Sequence, residues 1–290
     1  SILVKCSSCG YSQPRWLGRC PECGSWNTME ECIIDSAKVT PNGRGSSTQE
    51  KIKPINLASV EAQDTSRFST GIQEFDRVLG GDATKRSAIL LGGEPAIGKS
   101  TLLLQTAASV SKGFAKGGKT LYVSGEESAS QIKERADRLG LDVSDIQLLC
   151  TMRLEDTLDA LDSINPLFVI IDSIQTIYSA EAGMIPGTVN QLKYCANEFI
   201  SWVKERDAVL IMTAQVTKDG TIEGPKSLEH MVDTVISFEK NSEDIRFLHA
   251  QKNRFGSVDE LGIFTMSDKG LSPVLDPNSL FVTKRNETQT

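Results

Sequence analysis

The octapeptide Gly93-Glu94-Pro95-Ala96-Ile97-Gly98-Lys99-Ser100 restricts this chain to a small set of folds. It fits G-x-x-x-x-G-K-[ST], a phosphate-binding loop, and its flanks are those the pattern requires. The apolar run Ile89-Leu90-Leu91 before it reads as a strand, and Thr101-Leu102-Leu103-Leu104-Gln105 after it reads as a helix. A glycine-rich turn between such elements points consecutive backbone N–H groups at phosphate oxygens. The helix starting near Lys99 adds the positive end of its dipole. Lys99 is expected on the β- and γ-phosphates and Ser100 on Mg2+. Thr101 belongs to the same nucleotide-binding set.

The remaining pattern alternates strands and helices. Thr70 is expected to cap a helix carrying Ile72, Phe75 and Leu79, which stops at Gly80-Gly81. Leu121-Tyr122-Val123 reads as a buried strand ending in Ser124-Gly125-Glu126-Glu127-Ser128, followed by a helix to Leu139 and a stop at Gly140. A helix near Leu154–Ile164 ends at Asn165-Pro166. Leu167-Phe168-Val169-Ile170-Ile171-Asp172-Ser173 is then an apolar run closed by aspartate, the Walker B pattern. An uninterrupted apolar run indicates a central parallel strand buried on both faces. Its terminal Asp172 lies where such sheets bind ligands and can hold the water shell of Mg2+.

A long amphipathic helix is expected over Thr188–Arg206, with Val189, Leu192, Ala196, Phe199 and Val203 on one face. The strand Val209–Thr213 delivers Gln215 to its end. Thr234–Phe238, Ile245–Ala250 and Leu261–Met266 read as further strands. That order predicts an α/β core: a mostly parallel central sheet flanked by helices, with antiparallel additions.

Hydrolysis needs a group that polarises the attacking water. Glu126 and Glu127 sit at the right edge of the sheet for this. Both are equally placed to act as helix N-terminal acids that favour the dipole. Gln215 reads either as a sensor of the γ-phosphate or as a buried capping glutamine.

At the front, Cys6-Ser7-Ser8-Cys9-Gly10 and Cys20-Pro21-Glu22-Cys23-Gly24 form two C-x-x-C-G knuckles. Two such knuckles supply the four thiolates of structural Zn2+, here Cys6, Cys9, Cys20 and Cys23. A redox C-x-x-C would need a βαβ context that this stretch is too short to provide. So short a segment cannot bury a core, and zinc would supply most of its folding energy. Trp16, Leu17 and Trp26 are expected to pack around the site. Arg15 and Arg19 read either as nucleic-acid contacts or as a solvated basic loop. Cys32, Cys150 and Cys195 have no partner at ligand spacing, and the last two read as core thiols.

The domain bounds follow from these segments: a four-cysteine zinc-binding module over 1–32, a flexible linker over 33–66, the nucleotide-binding core over 67–284 and a polar tail over 285–290. The net charge of −7 argues against a uniformly basic nucleic-acid binder and leaves room for local positive loops. No stretch approaches the ~20 apolar residues that cross a bilayer, and no basic-then-apolar leader opens the chain. A cytoplasmic location without membrane partners is therefore expected.

Several stretches together resemble the bacterial RadA (Sms) family of RecA-like DNA-repair ATPases. These are the two knuckles, Ser124-Gly125-Glu126-Glu127-Ser128, Ile171-Asp172-Ser173-Ile174-Gln175-Thr176, Leu228-Glu229-His230-Met231-Val232-Asp233 and Lys252-Asn253-Arg254-Phe255-Gly256. The resemblance runs from Cys6 to about Phe281. It implies a RecA-like fold, a hexameric ring and ATP-driven movement on single-stranded DNA that promotes branch migration of recombination intermediates. A recombinase such as RecA is the implied protein partner.

By the same similarity Glu126 becomes the better candidate for the catalytic carboxylate. Lys252 and Arg254 would reach the ATP of the adjacent subunit; the residues alone read as alternating charges on the exposed face of a strand end. DNA contacts are expected from the loops Ser179–Val189 and Lys218–Lys226, with Lys218 and Lys226 on phosphates. The chain departs from the family near Asp82 and near Arg86, where glycines are usual, at Ala96, which replaces a frequent glycine, and at Gln215, where histidine is common. A Lon-protease-like C-terminal domain, usual in the family, is read here as absent, and ring assembly is expected to require it.

Overall fold

A computed structural model describes residues 2–7, 12–13, 18–23, 25–26, 28–33, 54, 56–59, 66–113, 119–183, 185, 188–216, 225–241 and 244–274. It divides into two units, Ser1–Ser66 and Arg67–Thr290. In the first, β1 (Ile2–Cys6) pairs antiparallel with β2 (Ser12–Gln13) on one side and β3 (Met29–Ile33) on the other. Val4, Cys6 and Cys20 are its buried cluster among the described residues. Trp26 is 70% exposed and therefore does not pack around the cysteines as expected. The Arg19 guanidinium instead lies over its ring, 5.8 Å from the centroid. Trp16, Leu17, Arg15 and Cys9 lie outside the described residues.

The second unit opens with the short pair β4 (Arg67–Phe68) and β5 (Ala83–Thr84), which bracket α1 (Gln73–Val78). The phosphate-loop strand β6 (Ser87–Gly93) and helix α2 (Lys99–Gly113) follow. Then come β7 (Thr120–Ser124), α3 (Ala129–Arg138), β8 (Ile146–Cys150), α4 (Leu154–Ile164) and β9 (Phe168–Asp172). The chain continues through α5 (Val189–Lys204) and β10 (Val209–Gln215). It closes with β11 (Thr234–Lys240), β12 (Ile245–Asn253), β13 (Leu261–Ser267) and β14 (Gly270–Pro273).

The main sheet has the order β14-β13-β12-β11-β6-β10-β9-β7-β8. From β11 to β8 every pairing is parallel, and from β11 to β14 every pairing is antiparallel. The apolar strands alternate between two cores, as the pleat demands. Ile89, Leu91, Phe168 and Ile211 face α2 and α3, while Leu90, Val169, Ile171 and Met212 face α4 and α5. Each such side chain contributes roughly 1.5–3 kcal/mol when fully removed from water.

Local signals set most helix ends. Ser128 caps α3 in a reciprocal box with Gln131, Thr188 caps α5, and Asn165 ends α4 in the left-handed region at φ +48. The Thr70 cap does not form. Ile72 occupies the cap position of α1 without a side-chain bond, and Thr70 instead donates its N–H to Asp76 Oδ1 at 2.8 Å. Asp76 also accepts from Ser69 Oγ at 2.5 Å, so an acid inside the helix organises its approach. Val189, the first residue of α5, is exposed although its apolar partners on that helix are buried. Cys150 is exposed on β8, at the sheet edge, and is not a core thiol; Cys195 is buried.

Candidate active site and metal-binding module

Parallel register brings the ends of four strands together. Gln215 of β10 lies beside Gly93 of β6, and Ser124 of β7 lies beside Asp172 of β9. A cleft of about 450 Å3 opens there, lined by Lys99, Ser100, Thr101, Glu126, Asp172 and Gln215 among others. Gly93 is needed sterically: a Cβ there would stand 2.7 Å from the backbone oxygen Phe238 O, whereas one on Gly98 would meet only the movable end of Met266. Gly98 also has φ +115. Ala96 holds φ +59 without being a glycine.

Lys99, at the first turn of α2, is nearly buried. Its Nζ donates to Gly93 O at 2.6 Å and to Glu94 O at 2.7 Å. Burial lowers its pKa below the ordinary lysine value, and the charges of Asp172, Glu126 and Glu94 act against that shift. A phosphate entering the loop would add further negative charge and favour the ammonium.

Asp172 accepts from Tyr122 OH at 2.8 Å and from Thr213 Oγ1 at 2.7 Å. Burial, and then the neighbouring Asp172 charge, holds the Tyr122 hydroxyl well above the ordinary tyrosine range, so it stays a donor. An ionised carboxylate offers about four lone-pair sites. Two remain after these bonds, and with the Ser100 hydroxyl they are a hard-oxygen set suited to Mg2+.

The two glutamates differ. Glu127 is held by both terminal nitrogens of Arg135, one at 2.7 Å. That bond is also the main reason the guanidinium pKa rises. Glu126 makes no ion pair among the described residues; Ser173 Oγ donates to its Oε1 at 3.4 Å. The carboxylate left available in the cleft is thus Glu126. Gln215 is exposed to the cleft, which removes the reading of a buried cap.

Lys252 and Arg254 do not line the cleft of their own chain. Lys252 Nζ donates to Glu229 O and Val232 O, each at 2.7 Å. Arg254 is 57% exposed, and its Nη1 donates to Asp233 Oδ1 at 2.8 Å. Asp233 is buried and also accepts from Lys204 Nζ at 2.5 Å and Ala88 N at 2.9 Å. A register shift between Val235 and Ile236, opposite this part of β12, breaks simple alternation of side chains there. Lys226 is exposed on the turn Pro225–Ser227, while Lys218 lies outside the described residues.

Sequence reasoning missed Arg135, Arg138, Tyr122 and Thr213 around the cleft. Tyr122 and Thr213 are hidden inside apolar strand runs. The arginines sit on the later turns of α3, and only the parallel crossover turns that helix toward the phosphate loop.

In the N-terminal unit the ligand atoms of Cys6, Cys20 and Cys23 lie within 4.8 Å of one another. Cys6 Sγ and Cys23 Sγ are 3.7 Å apart. Two thiolates bound at ~2.3 Å on a tetrahedral zinc are separated by about 3.8 Å, so the spacing fits that ion. Among the described residues no helix is long and apolar enough to cross a membrane.

A family described as AAA domain matches residues 53–221, and one described as rubredoxin metal binding domain matches residues 5–31. DNA repair protein RadA of Treponema pallidum is 60% identical over 281 residues, covering 97% of this chain and 60% of that protein. Its namesake in Bacillus subtilis is 44% identical over 283 residues, covering 97% and 61%. The chain thus spans about three fifths of the length of these curated relatives. A crystal structure of a KaiC-like protein from Pyrococcus horikoshii superposes with a TM-score of 0.60 at 18% identity, over 73% of this chain and 100% of that one, a likeness of fold. These matches, with the phosphate loop, the parallel sheet and the cysteine cluster, place the chain in the AAA-domain family as a RadA-type member with a rubredoxin-type metal-binding module on its N-terminal side.

Proposed function

We propose that this chain hydrolyses ATP in DNA repair and recombination, and that hydrolysis drives movement on single-stranded DNA and promotes branch migration. The observation that carries the reading is the unequal fate of two adjacent acids: Arg135 engages Glu127, while Glu126 stays available opposite Lys99 and Asp172. Glu126 orients the attacking water and takes its proton as the γ-phosphoryl group transfers. Lys99 leaves the Gly93 and Glu94 carbonyls to meet the phosphates. Ser100 and Asp172 would hold Mg2+, which would supply positive charge to offset that of the phosphates. Gln215 reads the presence of the γ-phosphate.

In a hexameric ring, formed where the family's ring-bracing domain is supplied, Lys252 and Arg254 act on the nucleotide of a neighbouring subunit. Cations supplied in trans stabilise charge developing on the transferring group, which makes turnover depend on assembly. Lys218 and Lys226 contact DNA phosphates, branched intermediates are the DNA substrate, and a RecA-type recombinase is the protein partner. Zinc on Cys6, Cys9, Cys20 and Cys23 is structural.

A second reading, an ATP-gated scaffold without motor action, is favoured by the φ of +59 at Ala96, which strains the loop that must close on phosphate. One measurement separates the two: the rate of ATP hydrolysis with and without single-stranded DNA, with mass in solution followed alongside. The motor reading expects stimulation by DNA, and its loss in Lys99→Ala. Unchanged turnover and unchanged nucleotide affinity on adding DNA would sink it.

A further inference from the structure

The short turn after Asp172 touches both groups assigned to the water and the γ-phosphate. On one side Ser173 Oγ donates to Glu126 Oε1 at 3.4 Å. Thr176 packs so tightly on the same β7 turn that a Cβ on Gly125 would stand 1.8 Å from its Oγ1. That hydroxyl is fixed by donating to Ser173 O at 2.7 Å.

On the other side Gln175 grips the main chain of Gln215. Gln215 N donates to Gln175 Oε1 at 2.7 Å, and Gln175 Nε2 faces Gln215 O at 3.5 Å. Register explains the need. The pairing of β10 with β9 ends at Met212 and Ile171, so no β9 backbone meets the Gln215 peptide on that side. Unpaired main-chain groups at a strand end would otherwise turn to water and let the end fray. The next residue is tied the other way: Val216 N donates at 3.1 Å to Gly93 O, the carbonyl that also accepts from Lys99 Nζ at 2.6 Å.

We propose that Gln175 is a positioning residue for ATP turnover, its side-chain amide extending the β9 side of the sheet and fixing where Gln215 points. The proposal rests on the reading of Gln215 as the γ-phosphate sensor. Gln175 is not among the residues that line the cleft, so its effect passes through Gln215 and falls on kcat.

The test is steady-state ATP hydrolysis with single-stranded DNA, with nucleotide Kd and Tm measured on the same samples. Gln175→Ala and the shape-preserving Gln175→Met are expected to lower kcat roughly ten- to a hundredfold, the scale of misplacing a catalytic group by about 1 Å. Kd should stay within about twofold and Tm should not move. The double variant Gln175→Ala/Gln215→Ala is expected to be no slower than Gln215→Ala alone. Several results would overturn the proposal: wild-type kcat in Gln175→Ala beside a slow Gln215→Ala, a double variant whose loss is the product of the two singles, or losses of Tm and affinity that track kcat in both Gln175 variants. A silent Gln215→Ala would instead bring down the sensor reading, and this proposal with it.

Discussion

Three non-glycine residues stand in the left-handed region at or near positions where the family resemblance implies glycine: Asp82 at φ +85, Arg86 at φ +57 and Ala96 at φ +59. For Ala96 the cost is of order 1 kcal/mol, because its Cβ crowds the carbonyl that follows. Arg86 is compensated in part: its N–H donates to Ala208 O at 2.8 Å and its Nε to Asp207 Oδ1 at 2.9 Å. Ala96 has no such tie in the bonds of the loop. Ala96→Gly is therefore expected to raise the unfolding free energy by about 1 kcal/mol in a denaturant titration. A loss of stability would mean that the loop relaxes around alanine. At this scale the sequence was informative where chemistry demands one residue type. Lys99, Asp172 and the glutamate pair, each read from a strand-end or loop pattern with few substitutes, do meet in one cleft. Which glutamate is available was not readable from the residues alone, since the answer lies with Arg135, one helix away in space. The Thr70 cap was missed for a similar reason: Asp76, six residues on, holds the Thr70 N–H, and the helix starts later, with Ile72 at its cap position.

Elements were legible in proportion to how completely they are buried. β9 and β10 announce themselves as apolar runs because helices cover both their faces. β8 carries no such run. It is the edge of the sheet, with Leu148 and Cys150 exposed, and only its pairing with β7 makes it a strand. Cys195 on α5 is the opposite case: burial, and then the charges of Glu155 and Glu198, push its thiol up to about 12. A raised acid pKa means that the fold favours the protonated thiol. Its contribution to stability is complete below the ordinary thiol value of 9.0 and is lost as pH rises toward about 12. These environments predict an order of alkylation, read by mass spectrometry at about pH 8, near the ordinary thiol range. Cys150 should react in the native protein, Cys195 only on global unfolding, and the knuckle cysteines only after zinc is chelated. Rapid native labelling of Cys195 would contradict its burial. Labelling of Cys6 and Cys20 that ignores the chelator would contradict the metal site.

At the scale of the whole molecule, the cleft brings the phosphate-loop residues together with Asp172 and Glu126, yet the cations of the K-N-R-F-G stretch are held elsewhere on the same chain. Arg254 sits beside Asp233, which bonds Ala88 at the start of β6, whereas the phosphate loop leaves the other end of that strand at Gly93. One chain cannot bring both ends of a rigid strand to the same phosphate. If Arg254 serves ATP at all, it must serve the ATP of another copy. Mixing tests this directly. Lys99→Ala has a dead phosphate loop and an intact Arg254, and Arg254→Ala has the reverse. Each alone is expected to turn over at least a hundredfold more slowly than the parent protein, since an arginine supplied in trans contributes roughly 10³–10⁵ in rate in related phosphoryl-transfer systems. An equimolar mixture should recover a substantial fraction of parent turnover, growing with protein concentration as mixed assemblies form. A mixture no faster than the sum of its components, under conditions where the parent assembles, would show that Arg254 acts within its own chain as the structural partner of Asp233. The completed site would then have to be sought in residues of one subunit.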